Sequence, residues 1–125
     1  MDQAIGELRT AIERDDAGSL HLHFGGKSAA REAWRVLAPI FDEVLAAAVA
    51  ERRAMVLHFE KLEYFNSSTI AALVQFIRAA QRSAVGVTVV YDASQNWQAV
   101  SFDALKRALR PFDAGKAPSV QFTEV

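Results

Sequence analysis

The sequence has no cysteine, almost no net charge and no long apolar run, and each absence excludes a class of protein. Without cysteine there are no disulfides, no thiol catalysis and no thiolate metal sites. The 14 lysines and arginines against 15 aspartates and glutamates leave a net charge of -1, which favours neither nucleic acid nor an anionic membrane as a partner. The apolar stretches fall short of a membrane span, and the first residues lack the pattern of a signal peptide. We therefore expect a cytoplasmic protein without membrane insertion.

What is present is an ordinary globular composition. Of the 125 residues, 51% are apolar and 23% are charged, which is enough to bury a core without disulfides or metals as staples. The length is that of one domain, so we expect a single domain over residues 1–125.

The amino-terminal part predicts a β-hairpin. Leu20-His21-Leu22-His23-Phe24 alternates strictly between apolar and polar residues, which is typical of a strand with one buried face. The turn signal Asp15-Asp16-Ala17-Gly18 precedes it. Residues 5–14 alternate loosely and are interpreted as the first strand, with a short helix as the alternative. Gly25-Gly26 is expected to end the second strand.

The rest of the chain predicts alternating helices and strands. Because proline is disfavoured inside helices, Pro39 suggests a short helix over 28–36, with Ser28 as a cap, and a main helix from Ala38 to Arg52. A single kinked helix is the alternative. The further predictions are strand 54–60, helix 67–83, strand 87–91, loop 92–97, helix 102–110 capped by Ser101 and stopped at Arg110-Pro111, and strand 119–123.

This order predicts an α/β fold: a mixed β-sheet, with the hairpin and mostly parallel strands, packed with helices. In such sheets the functional loops gather at the carboxyl ends of the parallel strands. Those ends are followed here by residues 61–68 and 92–97. We therefore expect Ser67, Ser68, Asp92, Asn96 and Trp97 to share one surface.

The strand-to-helix junction resembles the signature of the STAS domain, the fold of bacterial anti-sigma factor antagonists. That signature is an apolar strand, a short connection and Asp-Ser-Ser-Gly-Leu-Gly opening a helix. The matching run here is Asn66-Ser67-Ser68-Thr69-Ile70-Ala71 after the apolar strand Val56-Leu57-His58-Phe59. The upstream segment 37–45 is similar to the opening of the family's first helix. The family's aspartate is replaced by Asn66, its glycines by Thr69 and Ala71, and its strand acid by His58.

The resemblance implies a non-enzymatic regulator in a partner-switching system. Ser68 occupies the position that an anti-sigma-type Ser/Thr kinase phosphorylates in the family, with Ser67 and Thr69 as less favoured sites. Phosphorylation would add roughly -1.5 to -2 charges and break the complex with the kinase, and a Ser/Thr phosphatase would reset it. The implied partner-binding residues are Asn66, Ser67, Ser68, Thr69, Ala71, Ala72, Asp92, Asn96 and Trp97.

Other readings stay open from the residues alone. Asn66 and Ser68 are good residues for a helix start, where a side-chain oxygen accepts a bond from an unpaired backbone N–H. The chain could then be a constitutive interaction module, self-association into a homodimer included, or a small-ligand sensor with a pocket near Asp92 and Trp97. Catalysis is the weakest reading, because no catalytic constellation is visible and Gly25-Gly26-Lys27-Ser28 lacks the spacing of a phosphate loop. No cofactor is expected.

The histidines and tryptophans also have two readings each. His21 and His23 share one face of a strand, but no third metal ligand is visible at a useful spacing, so a solvated strand face is expected. His58 is expected to lie beside its strand neighbours rather than act as a base. Trp34 is expected to pack in a helix, whereas Trp97 suits either the core or a binding surface.

Overall fold

In the computed structural model, the chain forms a mixed β-sheet with helices packed against it. The structure describes residues 2–109 and 120–125. The elements in chain order are β1 (Asp2–Ile5), β2 (Leu8–Arg14), β3 (Ser19–Ser28), α1 (Ala33–Glu51), β4 (Ala54–His58), β5 (Leu62–Phe65), α2 (Ser67–Arg82), β6 (Val87–Tyr91), α3 (Asn96–Ala108) and β7 (Val120–Glu124). The predicted α/β class is therefore confirmed.

The strand order is β1-β2-β3-β4-β6-β7, and β5 pairs with β3 beyond the end of β4. The first three strands are antiparallel, and the other pairs are parallel. The predicted parallel pairing is confirmed, and so is the predicted hairpin between β2 and β3. Its first strand begins at Leu8 rather than at residue 5, because a turn at residues 6–7 separates it from β1, a strand that was not predicted. The register places His23 opposite His58, and it places Leu22 opposite Leu57 on the other face of the sheet.

The core lies between one face of the sheet and the helices. Leu20, Leu22 and Phe24 of β3 point to this face, as the strict alternation predicted. The rings of Phe41 in α1 and Phe76 in α2 stack with centroids 4.1 Å apart, which holds the two helices together. Within the described parts of the chain, no helix is both long enough and apolar enough to span a bilayer.

Helix α1 is one helix with Pro39 inside it, so the predicted break near residue 37 is wrong and the single-helix alternative is right. An interior proline costs about 3 kcal/mol. The helix nevertheless continues because its apolar stripe runs straight through, and each large buried side chain contributes about 1.5–3 kcal/mol. The buried residues on both sides of Pro39 are Ala33, Leu37, Ile40, Phe41, Val44 and Ala48.

Strand β3 does not stop at Gly25-Gly26, as the sequence had predicted, but continues to Ser28. Gly26 has φ +78, and a Cβ there would lie 1.9 Å from the carbonyl oxygen of Glu7, so only glycine fits. The pairing register shifts between Gly26 and Lys27, and the strand then pairs with β5. Ser28 is therefore a strand residue and caps no helix, and the predicted helix over 28–36 begins only at Ala33.

The last helix also begins earlier than predicted. Helix α3 starts at Asn96 rather than 102, because the turn before it is already closed by hydrogen bonds from Ser94 and Gln95 to the carboxylate of Asp92. Ser101 therefore lies within the helix and does not cap it. The predicted stop at Arg110-Pro111 lies outside the described residues, as does residue 119 at the predicted start of the final strand, which runs from Val120 to Glu124.

Candidate functional site

Asn66 begins α2 with both ends of its side-chain amide engaged. Its Oδ1 accepts a hydrogen bond from the backbone N–H of Thr69 at 2.9 Å, which is the expected N-cap. Its Nδ2 donates to the carbonyl oxygen of Ala30 at 2.9 Å. An ionised aspartate could make the first bond but not the second, because it has no donor. Asparagine, in place of the aspartate of the STAS signature, can therefore also bind the segment that precedes α1.

Ser68 joins the starts of two helices. Its Oγ accepts a hydrogen bond from the backbone N–H of Ala33, the first residue of α1, at 2.9 Å. Glu32, the N-cap residue of α1, makes no side-chain capping bond of its own. Ser68 is therefore a helix cap, but for the neighbouring helix. The half-buried hydroxyl lies where the positive ends of two helix dipoles meet, an environment that favours negative charge.

Thr69 lies beneath this surface, with only 3% of the residue exposed. Its hydroxyl contacts the hydroxyl of Ser28 at 2.7 Å and donates to Oδ1 of Asn66 at 2.8 Å. These bonds tie the end of β3 to the start of α2. A kinase could not reach the hydroxyl of Thr69 without opening the fold, so the accessible hydroxyls of the motif are those of Ser67 and Ser68.

The overall fold is similar to solved structures from two bacteria. No protein-family model and no curated protein matches the sequence. An anti-sigma factor antagonist from Mycobacterium paratuberculosis superimposes with a TM-score of 0.58 at 16% identity, over 95% of this chain and 90% of that one. A protein with a SpoIIAA-like fold from Shewanella loihica PV-4, of the DUF3478 family, superimposes with a TM-score of 0.55 at 13% identity, over 100% of this chain and 92% of that one.

The chain has a STAS-like fold. Within this STAS-like fold, the predicted partner-binding residues of α2 divide by exposure. Ser67 and Ala71, four residues apart and hence on one side of the helix, are exposed. Ala72 is only 1% exposed and belongs to the core, so it has no surface to offer a partner. The outer face of the first turns of α2 is thus formed by Ser67 and Ala71, with Ser68 at its edge.

In the described residues, Trp97 makes the one hydrogen bond or ring contact that joins the 92–97 segment to the residues around the start of α2. The ring of Trp97 lies edge-to-face with Phe65, the residue before Asn66, at a centroid distance of 5.5 Å. Asn96 is exposed at the start of α3. Hydrogen bonds from the side chains of Ser94 and Gln95, of which the first has the larger effect, lower the pKa of Asp92. These bonds hold the carboxylate of Asp92 within its own loop.

Gln98 is a key residue that the sequence did not reveal. It is fully buried, and its Nε2 donates to the carbonyl oxygens of Phe59 and Leu62 at 2.8 and 3.0 Å. Its Oε1 accepts from the backbone N–H of Asp92 at 2.7 Å. The side chain of Gln98 therefore makes hydrogen bonds to backbone carbonyls in the connection between β4 and β5, and it also positions the 92–97 loop. The sequence around Gln98 gives no sign of this role, because its three partners are backbone groups that lie outside its own helix.

Trp34 is the second residue that was misplaced. It was expected to pack within a helix, yet it is 43% exposed in the first turn of α1. It follows Ala33, whose N–H binds Ser68. A large exposed aromatic residue beside the candidate phosphorylation site is suited to be a binding anchor.

The face of the STAS-like sheet opposite the helices carries the histidines. The third metal ligand that the sequence seemed to lack is His58, which the parallel pairing of β3 and β4 brings beside His21 and His23. Burial lowers the pKa of His58, although a hydrogen bond with Glu60 acts in the opposite direction. A groove of about 420 Å³ adjoins the cluster and is lined in part by Arg9, His23 and Lys61, not by the predicted pocket residues Asp92 and Trp97.

Proposed function

We propose that this chain is a non-enzymatic regulator of a bacterial partner-switching system in the cytoplasm, acting as one STAS-like domain. It binds an anti-sigma-type Ser/Thr kinase through the start of α2, and phosphorylation of Ser68 ends that binding. A Ser/Thr phosphatase restores the binding-competent form. The STAS-like fold shared with an anti-sigma factor antagonist supports a role of this type.

The observation that carries the proposal is the position of the Ser68 hydroxyl between the first turns of α1 and α2. A phosphate added there would lie beside the backbone N–H of Ala33 and the positive ends of two helix dipoles. The neighbouring side chain of Asn66 brings no negative charge to repel it. These features favour a phosphate on Ser68.

The same position explains how phosphorylation would act on a partner. Ser67 and Ala71 on α2 and Trp34 on α1 form a small and apolar part of the exposed surface near Ser68. The exposed ion pair of Glu32 and Arg35 flanks Trp34 in the chain and lies at the border of this surface. A phosphate of roughly -1.5 to -2 charges at the edge of this surface would have to be desolvated in the complex, which breaks the contact.

The test is a phosphorylation and binding assay. The chain is incubated with ATP and the Ser/Thr kinase domains encoded near its gene, and the intact mass is measured. Binding to each kinase is then measured by calorimetry for the wild type, Ser68→Ala, Ser68→Asp and the matched control Ser67→Ala. We expect one added phosphate, absent from Ser68→Ala, and loss of binding in Ser68→Asp with retention in Ser67→Ala. If no phosphate is added and Ser68→Asp binds like the wild type, the switch is refuted.

A constitutive interaction module is the second candidate function. The observation in its favour is that the Ser68 hydroxyl already has a structural role as the cap of α1. In that case the same surface binds a partner and no modification regulates it. The assay separates the two candidates, because a module binds its partner equally with and without kinase and ATP.

A further inference from the structure

All three histidines of the chain lie on one face of the sheet, opposite the helices. His21 and His23 are alternate residues of β3, and His58 ends β4 directly opposite His23. One ring nitrogen from each histidine lies within 4.8 Å of those from the other two. Parallel strand pairing, rather than sequence proximity, therefore assembles three imidazoles from two strands.

Each histidine also has a carboxylate at one ring nitrogen. Nε2 of His21 lies 2.7 Å from Asp15, Nε2 of His23 lies 3.3 Å from Glu13, and Nδ1 of His58 lies 3.3 Å from Glu60. Metal-binding histidines in proteins commonly bond their second nitrogen to a carboxylate, which fixes the tautomer and makes the first nitrogen a stronger ligand. The arrangement occurs here for all three histidines.

The second nitrogen of each ring has no carboxylate beside it. These atoms are Nδ1 of His21, Nδ1 of His23 and Nε2 of His58. Two of these, on His21 and His58, already lie 2.7 Å apart. Three imidazoles that each place one ring nitrogen within 4.8 Å of those of the other two supply the ligands of a three-histidine metal site, which leaves a fourth position for water or another ligand.

We propose that His21, His23 and His58 bind one divalent transition-metal ion, and that zinc is the ion that suits them. Three nitrogen ligands select zinc, copper or nickel and disfavour calcium and magnesium, which require oxygen ligands. A bound ion would cross-link β3 to β4 at the centre of the sheet. The proposal is independent of the switch at Ser68, because the ligands lie on the face of the sheet away from α2.

Binding requires the rings to rearrange. Two nitrogens bound tetrahedrally to zinc at about 2.05 Å are about 3.3 Å apart, so the 2.7 Å contact between His21 and His58 must open. The ion must also lie in the plane of each ring, yet all three pairs of rings are stacked, with interplanar angles of 13° for His23 and His58, 16° for His21 and His23, and 26° for His21 and His58. The side chain of His23 is 41% exposed and is the ring with room to turn.

The test measures zinc binding to the full chain purified with a tag that contains no histidine. After treatment with a chelator, zinc is titrated by calorimetry, and the bound metal is counted by elemental mass spectrometry. We expect one zinc per chain, and we expect His21→Asn, His23→Asn and His58→Gln each to weaken binding by more than about a hundredfold. Glu13→Gln keeps all three ligands and should weaken binding by only about 10–100-fold.

Circular dichroism and thermal melts show whether each variant is folded, and His23→Asn, at an exposed position, provides the comparison if His58→Gln does not fold. Cobalt gives an independent reading, because visible absorption reports its coordination number and is expected to indicate four ligands. The proposal is overturned if the wild type binds no stoichiometric zinc. It is also overturned if folded His23→Asn binds zinc as tightly as the wild type, since the site would then lack its third ligand.

Discussion

The hydroxyl of Ser68 accepts a hydrogen bond at 2.9 Å from the backbone N–H of Ala33, so that the first turn of α2 caps the first turn of α1. The residue at the family's phosphorylation position is therefore also a structural link between two helices. A modification that changes the oxygen of Ser68 would act on the start of α1 as well as on a partner.

Replacing Ser68 by alanine should destabilise the fold, because the N–H of Ala33 then loses its cap. Loss of a helix cap costs about 0.5–2 kcal/mol, and we expect about 1 kcal/mol from urea unfolding. Ser67→Ala is the matched control, since Ser67 is the exposed neighbour and its change should be close to zero. Equal losses in the two variants would show that Ser68 has no special structural role.

Replacing Asn66 by aspartate, the residue of the STAS signature at this position, should also be destabilising. The carboxylate keeps the bond from Thr69 and gains about 0.3–1 kcal/mol from the helix dipole. It loses the bond to the carbonyl of Ala30, however, and places two acceptors together at a cost of about 1–3 kcal/mol. We expect a net loss of about 1 kcal/mol at neutral pH in urea unfolding. A gain in stability would mean that the bond to Ala30 contributes little.

The sequence pattern predicted correctly those helices and strands whose structure is determined by their own residues. Strand β6 and helix α2 were located to within a residue, because a β-branched run and a capped 3.6-residue stripe are complete signals in themselves. The hairpin of β2 and β3 followed from alternation and a turn signal for the same reason.

The features that were missed depend on partners far away in the chain. The continuity of α1 through Pro39 is decided by the core it packs against, and β5 exists only because the bulged end of β3 pairs with it. The contact between Ser68 and Ala33 and the meeting of His58 with His23 join residues 35 apart in each case. Such pairs follow from strand register and helix placement, which single-residue patterns do not determine.

Gln98 gives the sharpest stability prediction. Gln98→Ala leaves the carbonyl of Leu62 and the N–H of Asp92 without their partner, and the carbonyl of Phe59 keeps only the bond from the N–H of Leu62. Unsatisfied buried groups cost about 1–3 kcal/mol each, but they relax together, so we expect a total of about 3–5 kcal/mol in urea unfolding. Gln75, exposed on α2, provides the control: Gln75→Ala should change the free energy of unfolding by less than about 0.5 kcal/mol.

The ion pair between Arg14 of β2 and Glu51 of α1, at 2.6 Å, predicts a dependence on pH. A hydrogen bond and charge attraction from Arg14 lower the pKa of Glu51 below its ordinary value of 4.5. Since the folded-state pKa is depressed, the pair contributes stability above pH 4.5 and loses it as the pH falls through the folded-state value. Carboxyl NMR titration should show the pKa of Glu51 rising towards 4.5 in Arg14→Gln. An unchanged midpoint would mean that the pair does not persist in solution.

Trp34 offers a test of the proposed binding surface that is separate from phosphorylation. Because Trp34 is 43% exposed, Trp34→Ala should leave thermal stability nearly unchanged. If Trp34 anchors the partner, the same change should weaken binding to the proposed partner kinase by roughly 30-fold, the effect of a hot-spot residue of about 2 kcal/mol. Val100→Ala, at a 61% exposed position of α3, is the control and should bind normally. Calorimetry that finds wild-type affinity in Trp34→Ala would place the partner's contact on α2 alone.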